Sequence, residues 1–269
     1  MRFCVLGSGS RGNCTLVESE RTSLLIDAGF SGREIGRRLT AIGRRPEELD
    51  AILVSHEHGD HIRGVGILCR RYTLPLHINR PTLQAAEGQL GRVEEVCKFA
   101  TGEPFVLGDL RIHPFSVSHD TADPVGFVIS DGCCRFGYCT DTGRVTRLIA
   151  HHLRACQGLV LEANHDPRML MDGPYPPALK QRVRSGSGHL ANGDAAALAA
   201  TLAAGSLRKL VLAHVSETNN RPELVLQAVR DRLGNLCHRL SITVAEQDRP
   251  GRMAHLSGPP VVEPSARRS

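Results

Sequence analysis

The sequence predicts a mixed α/β (α+β) fold in which two sheets lie face to face with helices outside. Short apolar runs of strand length alternate with stretches of helical spacing, in the order strands, helices, strands, helices. Polar clusters follow several of the apolar runs, so strand ends would bring residues more than a hundred positions apart onto one rim. No apolar run approaches the ~20 residues that a membrane helix needs, which excludes a helical membrane protein.

The elements follow in order. Residues 1–30 read as two strands joined by the turn Gly7-Ser8-Gly9-Ser10. No helix follows that turn, so a dinucleotide fingerprint is a poor reading. Residues 31–44 carry helical spacing through Ile35, Leu39 and Ile42. Residues 51–54 are an apolar strand, 62–72 a helix, and a strand from Pro75 precedes a helix near 81–90. Residues 95–130 alternate short strands and turns, with Gly108-Asp109 at a hairpin. Residues 144–155 are helical and 158–162 form a strand. The Pro- and Gly-rich stretch 166–186 reads as an irregular excursion over the site. An alanine-rich helix at 190–205, a strand at 209–213, a helix at 222–234 and a strand at 240–245 complete one domain, 1–256. The tail from 257 is Pro- and Ser-rich and is expected to be disordered.

The chain has 269 residues, net charge +5, and far more arginine than lysine. That charge permits a nucleic-acid partner without requiring one. Arg33, Arg37, Arg38, Arg44 and Arg45 read as a solvated face; Arg168, Lys180, Arg182 and Arg184 lie nearer the candidate site and suit phosphate contacts. With no Trp, three Tyr and seven Phe, extended base stacking on many platforms is disfavoured. The nine cysteines lack paired spacing and are expected to be free thiols. The chain opens on a strand-like run without a signal-peptide pattern, which predicts a cytoplasmic location and no membrane partner.

The densest chemistry lies in Ser55-His56-Glu57-His58-Gly59-Asp60-His61. Three imidazoles and the Asp60 carboxylate fall within six residues, directly after the buried run 51–54. A solvated polar loop explains one histidine; this density calls for a metal.

His-x-His-x-Asp-His resembles the signature of the metallo-β-lactamase superfamily. Further stations occur in family order: Leu24-Leu25-Ile26-Asp27-Ala28-Gly29, then His119, Asp141 and His214, each after an apolar run. The opening Gly7-Ser8-Gly9-Ser10-Arg11-Gly12-Asn13, the segment Glu162-Ala163-Asn164-His165-Asp166 and the segment Gly188-His189-Leu190-Ala191-Asn192 resemble the YycJ/WalJ-type branch. Ala163 and Ala191 stand where that branch usually carries Ser, and 184–188 is looser than its pattern. The resemblance implies a four-layer αββα sandwich and a single-domain nuclease, a 5′-to-3′ DNA exonuclease in the branch's proposed role. It implies two divalent ions, zinc or manganese: His56, His58 and His119 for the first, Asp60, His61 and His214 for the second, and Asp141 bridging. A pair so bridged can clamp attacking and leaving oxygens. Asp27 is expected to orient a ligand histidine, and His113 to be structural.

Glu162 and His189 resemble the pair that phosphodiesterase branches set beside such a centre. His189 would protonate the leaving oxygen, Glu162 orient its ring, and Asp60 double as base. Asn13, Asn164 and His165 are candidate phosphate contacts, with Lys180 and Arg182 from the basic stretch. The partner implied is nucleic acid, with DNA preferred and no obligatory protein partner. A small-molecule hydrolase of lactones, thioesters or cyclic phosphodiesters is the alternative, because this fold alone does not choose the substrate. A di-iron redox protein would need an electron donor that the chain does not supply.

Overall fold

The computed structural model describes residues 1–258. Residues up to 99 lay down β1 (Arg2–Gly7), β2 (Cys14–Glu18), β3 (Ser23–Ile26), β4 (Ala51–Leu53), β5 (Leu76–Asn79) and β6 (Val96–Phe99). Later residues lay down β7 (Phe105–Leu107), β8 (Leu110–Ser116), β9 (Val125–Ser130), β10 (Arg135–Cys139), β11 (Gly158–Glu162), β12 (Lys209–Ala213) and β13 (Ser241–Val244). Strand β14 (Ala254–His255) returns to pair with β1. Among the described residues this makes two seven-stranded sheets, β14-β1-β2-β3-β4-β5-β6 and β13-β12-β11-β10-β9-β8-β7.

Connection length sets strand direction. Short turns join β1 to β2 and β2 to β3, and those pairs are antiparallel. Helical crossovers join β3 to β4, β4 to β5 and β5 to β6, and those pairs are parallel. They carry α1 (Gly32–Ala41), α2 (Gly59–Ile62), α3 (Val65–Tyr72) and α4 (Arg80–Leu90). The second sheet repeats the pattern, antiparallel through β10 and parallel from β10 to β13. Its crossovers carry α5 (Arg147–Leu153), α6 (Pro167–Asp172), α7 (Pro177–Val183), α8 (Asn192–Ala203) and α9 (Pro222–Leu233).

Phe3, Ile26 and Leu53 of one sheet meet Ile112, Phe127 and Phe136 of the other in a shared core. The Phe3 and Phe136 rings lie 4.5 Å apart. Helices α1, α3 and α4 cover the far face of the first sheet through Ile35, Leu68 and Ala86. Helices α5, α8 and α9 cover the second through Ile149, Ala199 and Val229. Four layers result, αββα, as expected. Strand β11 is apolar on both faces because both are covered.

Four expectations need correction. Residues 1–30 hold three strands, because Ser19 and Thr22 close a tight turn in the polar run 18–23 (Ser19 N to Thr22 O, 2.9 Å). The helix expected over 62–72 starts later, as α3, and the separate short helix α2 that precedes it was not expected. Stretch 166–186 is not irregular: the Asp166 side chain caps α6 and Pro177 begins α7, so prolines read as breakers act as starters. Arg38 is not solvated. It is 3% exposed, stacks over Phe30 and donates to the carbonyls of Leu6 and Gln247. All nine cysteines are free thiols, as expected. Apart from residues 257 and 258, the expected tail lies outside the described residues.

Candidate metal centre

Strand ends build the site. Asp27 follows β3, the 55–61 cluster follows β4, His119 follows β8, Asp141 follows β10, Glu162 ends β11 and His214 follows β12. Asp27, Asp141 and His214 leave their strands in the left-handed region, with φ of 59°, 55° and 54°. Thr73, at the end of α3, is the only other non-glycine there among the described residues, so this backbone strain concentrates at the rim. Gly29 permits the closest approach: a Cβ there would stand 1.6 Å from the Asp60 carbonyl oxygen.

Ligating atoms of His56, His58 and His119 lie within 4.8 Å of one another, and those of Asp60, His61 and His214 do likewise. Asp141 lies between the groups, its Oδ2 3.2 Å from His61 Nε2 and its Oδ1 3.2 Å from His214 Nδ1 and 3.8 Å from His119 Nε2. The structure thus gathers all seven residues into one cluster, with His58 and Asp60 half-buried and the other five buried.

Hydrogen bonds at the rear aim these rings. Asp27 Oδ2 faces His61 Nδ1 at 2.8 Å and also accepts from the hydroxyls of Ser55 (2.8 Å) and Tyr138 (3.0 Å). Ser55 Oγ lies 3.0 Å from His56 Nδ1, and the Gly188 carbonyl 3.0 Å from His119 Nδ1. Glu162 Oε1 is shared by His214 Nδ1 (2.9 Å) and His189 Nδ1 (2.8 Å). Its Oε2 accepts from the backbone N–H groups of Thr142 and Leu190. The forward atoms His56 Nε2 and His214 Nε2 are then buried without hydrogen-bond partners among the described residues. Buried polar atoms left so are costly. Imidazole nitrogens and carboxylates converging in this way fit a divalent cation, which would replace the protons on the rings.

Electrostatics agree. Burial, then the neighbouring His61, pushes His56 well below the usual imidazole value. Burial opposes charge on His61, yet Asp141, Asp27 and Asp60 hold it well above that value. Burial likewise opposes charge on His214, which Asp141, Asp60 and Glu162 raise. Burial would raise Asp141, and His214 and His61 keep it well below the carboxylate range. The carboxylates stay anionic and draw cationic charge inward.

Residues 22–215 match the beta-lactamase superfamily domain. The chain belongs to the beta-lactamase superfamily. It is 41% identical over 227 residues to exodeoxyribonuclease WalJ of Streptococcus pneumoniae serotype 2, covering 83% of this chain and 84% of that one. It is 36% identical over 231 residues to exodeoxyribonuclease YycJ of Bacillus anthracis, covering 85% and 88%. Among solved structures, the metallo-beta-lactamase fold protein YhfI of Bacillus subtilis superimposes with a TM-score of 0.72 at 18% identity, covering 93% of this chain and 99% of that one. That likeness concerns the fold.

In this superfamily member the centre opens into a cleft of about 290 Å³, lined by His58, Asp60, Asp141, His189 and His214. Of the expected substrate contacts, Asn164 and Arg182 line it. Asn13, His165 and Lys180 do not. Asn13 is buried behind Asp60, with Nδ2 3.2 Å from Asp60 Oδ2 and Oδ1 accepting from Ser8 and Gly9. His165 is buried, and Lys180 Nζ bonds the Met171 carbonyl. Ala163 and Ala191 do not line the cleft; Ala191 leaves α8 without a side-chain cap. Sequence reasoning missed Ser55, Tyr138, Asp120 and Tyr175. Asp120 meets Arg182 Nε at 2.6 Å, and its adjacency to His119 was the available signal.

Proposed function

We propose that this chain is a metal-dependent hydrolase of nucleic-acid phosphodiesters, a cytoplasmic 5′-to-3′ DNA exonuclease working with two divalent ions, zinc or manganese. The observation that carries the reading is the Glu162–His189 pair, a buried carboxylate aiming a partly exposed imidazole into the cleft beside the cluster. The identity to the WalJ and YycJ exodeoxyribonucleases supports it. The free cysteines support a reducing compartment. No helix among the described residues is long and apolar enough to cross a membrane.

His56, His58 and His119 would hold one ion, and Asp60, His61 and His214 the other, with Asp141 between them. Bound there, such ions supply Lewis-acid charge to the phosphodiester and to the attacking oxygen. The chain's own groups do the rest. Asp60 accepts the proton of the attacking water. Glu162, held at about 2 by His189 and His214 although burial would raise it, stays anionic and fixes the His189 ring through Nδ1. His189 Nε2 is then placed to protonate the leaving oxygen. Asn164 and Arg182 are the cleft's contacts for phosphate oxygens. Asn13 acts by holding Asp60.

End-labelled single- and double-stranded DNA and RNA, a nitrophenyl phosphodiester and a thioester, each offered to metal-loaded protein, test the reading. DNA should shorten, chelator should stop it, and rising salt should weaken it. His189→Ala should keep its metal and lose roughly 10²–10⁴-fold in rate on DNA, and much less on the nitrophenyl ester, whose leaving group needs little protonation. Turnover of the thioester with no polynucleotide shortened would overturn the proposal.

A further inference from the structure

The apolar side chains of the cleft lining come from one place. Tyr175, Leu179 and Val183 all belong to the 166–186 excursion, and Arg182 sits among them. Tyr175 lies in Gly173-Pro174-Tyr175-Pro176-Pro177, just before α7. Pro174 and Pro176 fix their own φ and narrow the conformations of the residues before them, so Tyr175 is presented by a stiff backbone.

The three tyrosines differ in what they do for the fold. Tyr138 is buried and donates to Asp27. Tyr72 lies under the Arg71 guanidinium. Tyr175 is partly exposed in the cleft and makes no ring contact or hydroxyl hydrogen bond among the described residues. A rigidly held aromatic with no structural partner, beside a cation that already meets a carboxylate oxygen at 2.6 Å, is a surface for a flat ring next to a phosphate. At about 290 Å³ the cleft is at the small end of ligand pockets, roughly 300–1,000 Å³. That volume suits one small ligand, so a base must leave its stack and its partner to enter.

We propose that Tyr175 is the stacking platform for the base of the terminal nucleotide, so that the cleft admits one unpaired nucleotide at a time. The inference rests on the nuclease reading above. Stacking on a preorganised ring loses little conformational freedom, and Arg182 would exchange Asp120 for the nucleotide's phosphate.

The test pairs the residue with the base. Two single-stranded oligonucleotides of the same sequence are digested, one intact and one lacking the base at the end from which the wild type digests. Tyr175→Ala should raise KM roughly tenfold on the intact end, the usual worth of one stacked base, with kcat largely kept. On the abasic end wild type and variant should be alike, and Tyr175→Trp should restore the intact-end KM. Equal losses on both ends, or none on either, while the wild type still shortens DNA, would overturn the inference and leave the nuclease reading standing. Wild type that shortens no polynucleotide would bring down both.

Discussion

Two histidine-rich pockets of equal volume, about 290 Å³ each, lie in this molecule with opposite electrical characters. In the cleft and directly behind it, imidazoles have carboxylates for company, and His214 and the buried His61 are held well above their usual value against burial. In the other, His113, His151 and His152 share the lining with Arg111, Arg135 and Arg154. There burial, then Arg111 and Arg135, lowers His113, and burial, then His113 and His151, brings His152 to about 4. The difference teaches that a count of histidines does not make a cation site. The sign of the neighbours decides, through which form of the ring they favour.

Removing the carboxylate from the first pocket should hurt most. Asp141→Ala takes away the group between the two triads, so elemental analysis should find divalent metal reduced. Hydrolysis should fall by more than the ~10–100-fold that a supporting residue costs. A variant with full metal content and full activity would break the comparison.

A subtler change keeps every ligand and alters only what aims one. Asp27→Asn exchanges a carboxylate oxygen facing His61 Nδ1 for an amide, and metal affinity should weaken by about 10–100-fold. Competition with a chromophoric chelator measures this; an unchanged dissociation constant would reduce Asp27 to a turn residue.

The smallest effect belongs to the second pocket. His152 has a folded value near 4 against an ordinary 6.5, so between those pH values the unfolded chain takes up a proton that the folded chain refuses. Stability is therefore lost as pH falls from about 6.5 toward 4. His152→Phe, which keeps a ring against Phe115, should reduce the drop in urea midpoint between pH 7 and pH 5. The gain should be modest, because the ring is partly solvated and its interactions screened. An identical drop in both proteins would show that this group plays no part in acid sensitivity.

The site was more legible than the loops around it. His56, His58, Asp60, His61, His119, Asp141 and His214 each follow a strand with at least one buried face, and an apolar strand with a polar end is a local pattern. Ser55 and Tyr138 were invisible as supports of Asp27, because a hydroxyl in a strand (Tyr138) or just past one (Ser55) looks ordinary and the partner lies far along the chain. Helices α6 and α7 escaped because each is short and begins with proline. Arg38 deceived for a related reason. Its neighbours Arg33 and Arg37 are exposed, and helical phase alone did not reveal that Phe30 and two carbonyls await it.

The centre straddles a seam. His56, His58, Asp60 and His61 ride on the first sheet, and His119, Asp141 and His214 on the second. Neither half carries a complete set, so no locally folded fragment can assemble it. Pairings of such high sequence separation form slowly, since loop closure must be met before the contacts repay it. Recovery of hydrolysis during refolding would therefore lag recovery of helical signal, and the enzyme's own turnover would clock the moment at which the two sheets meet.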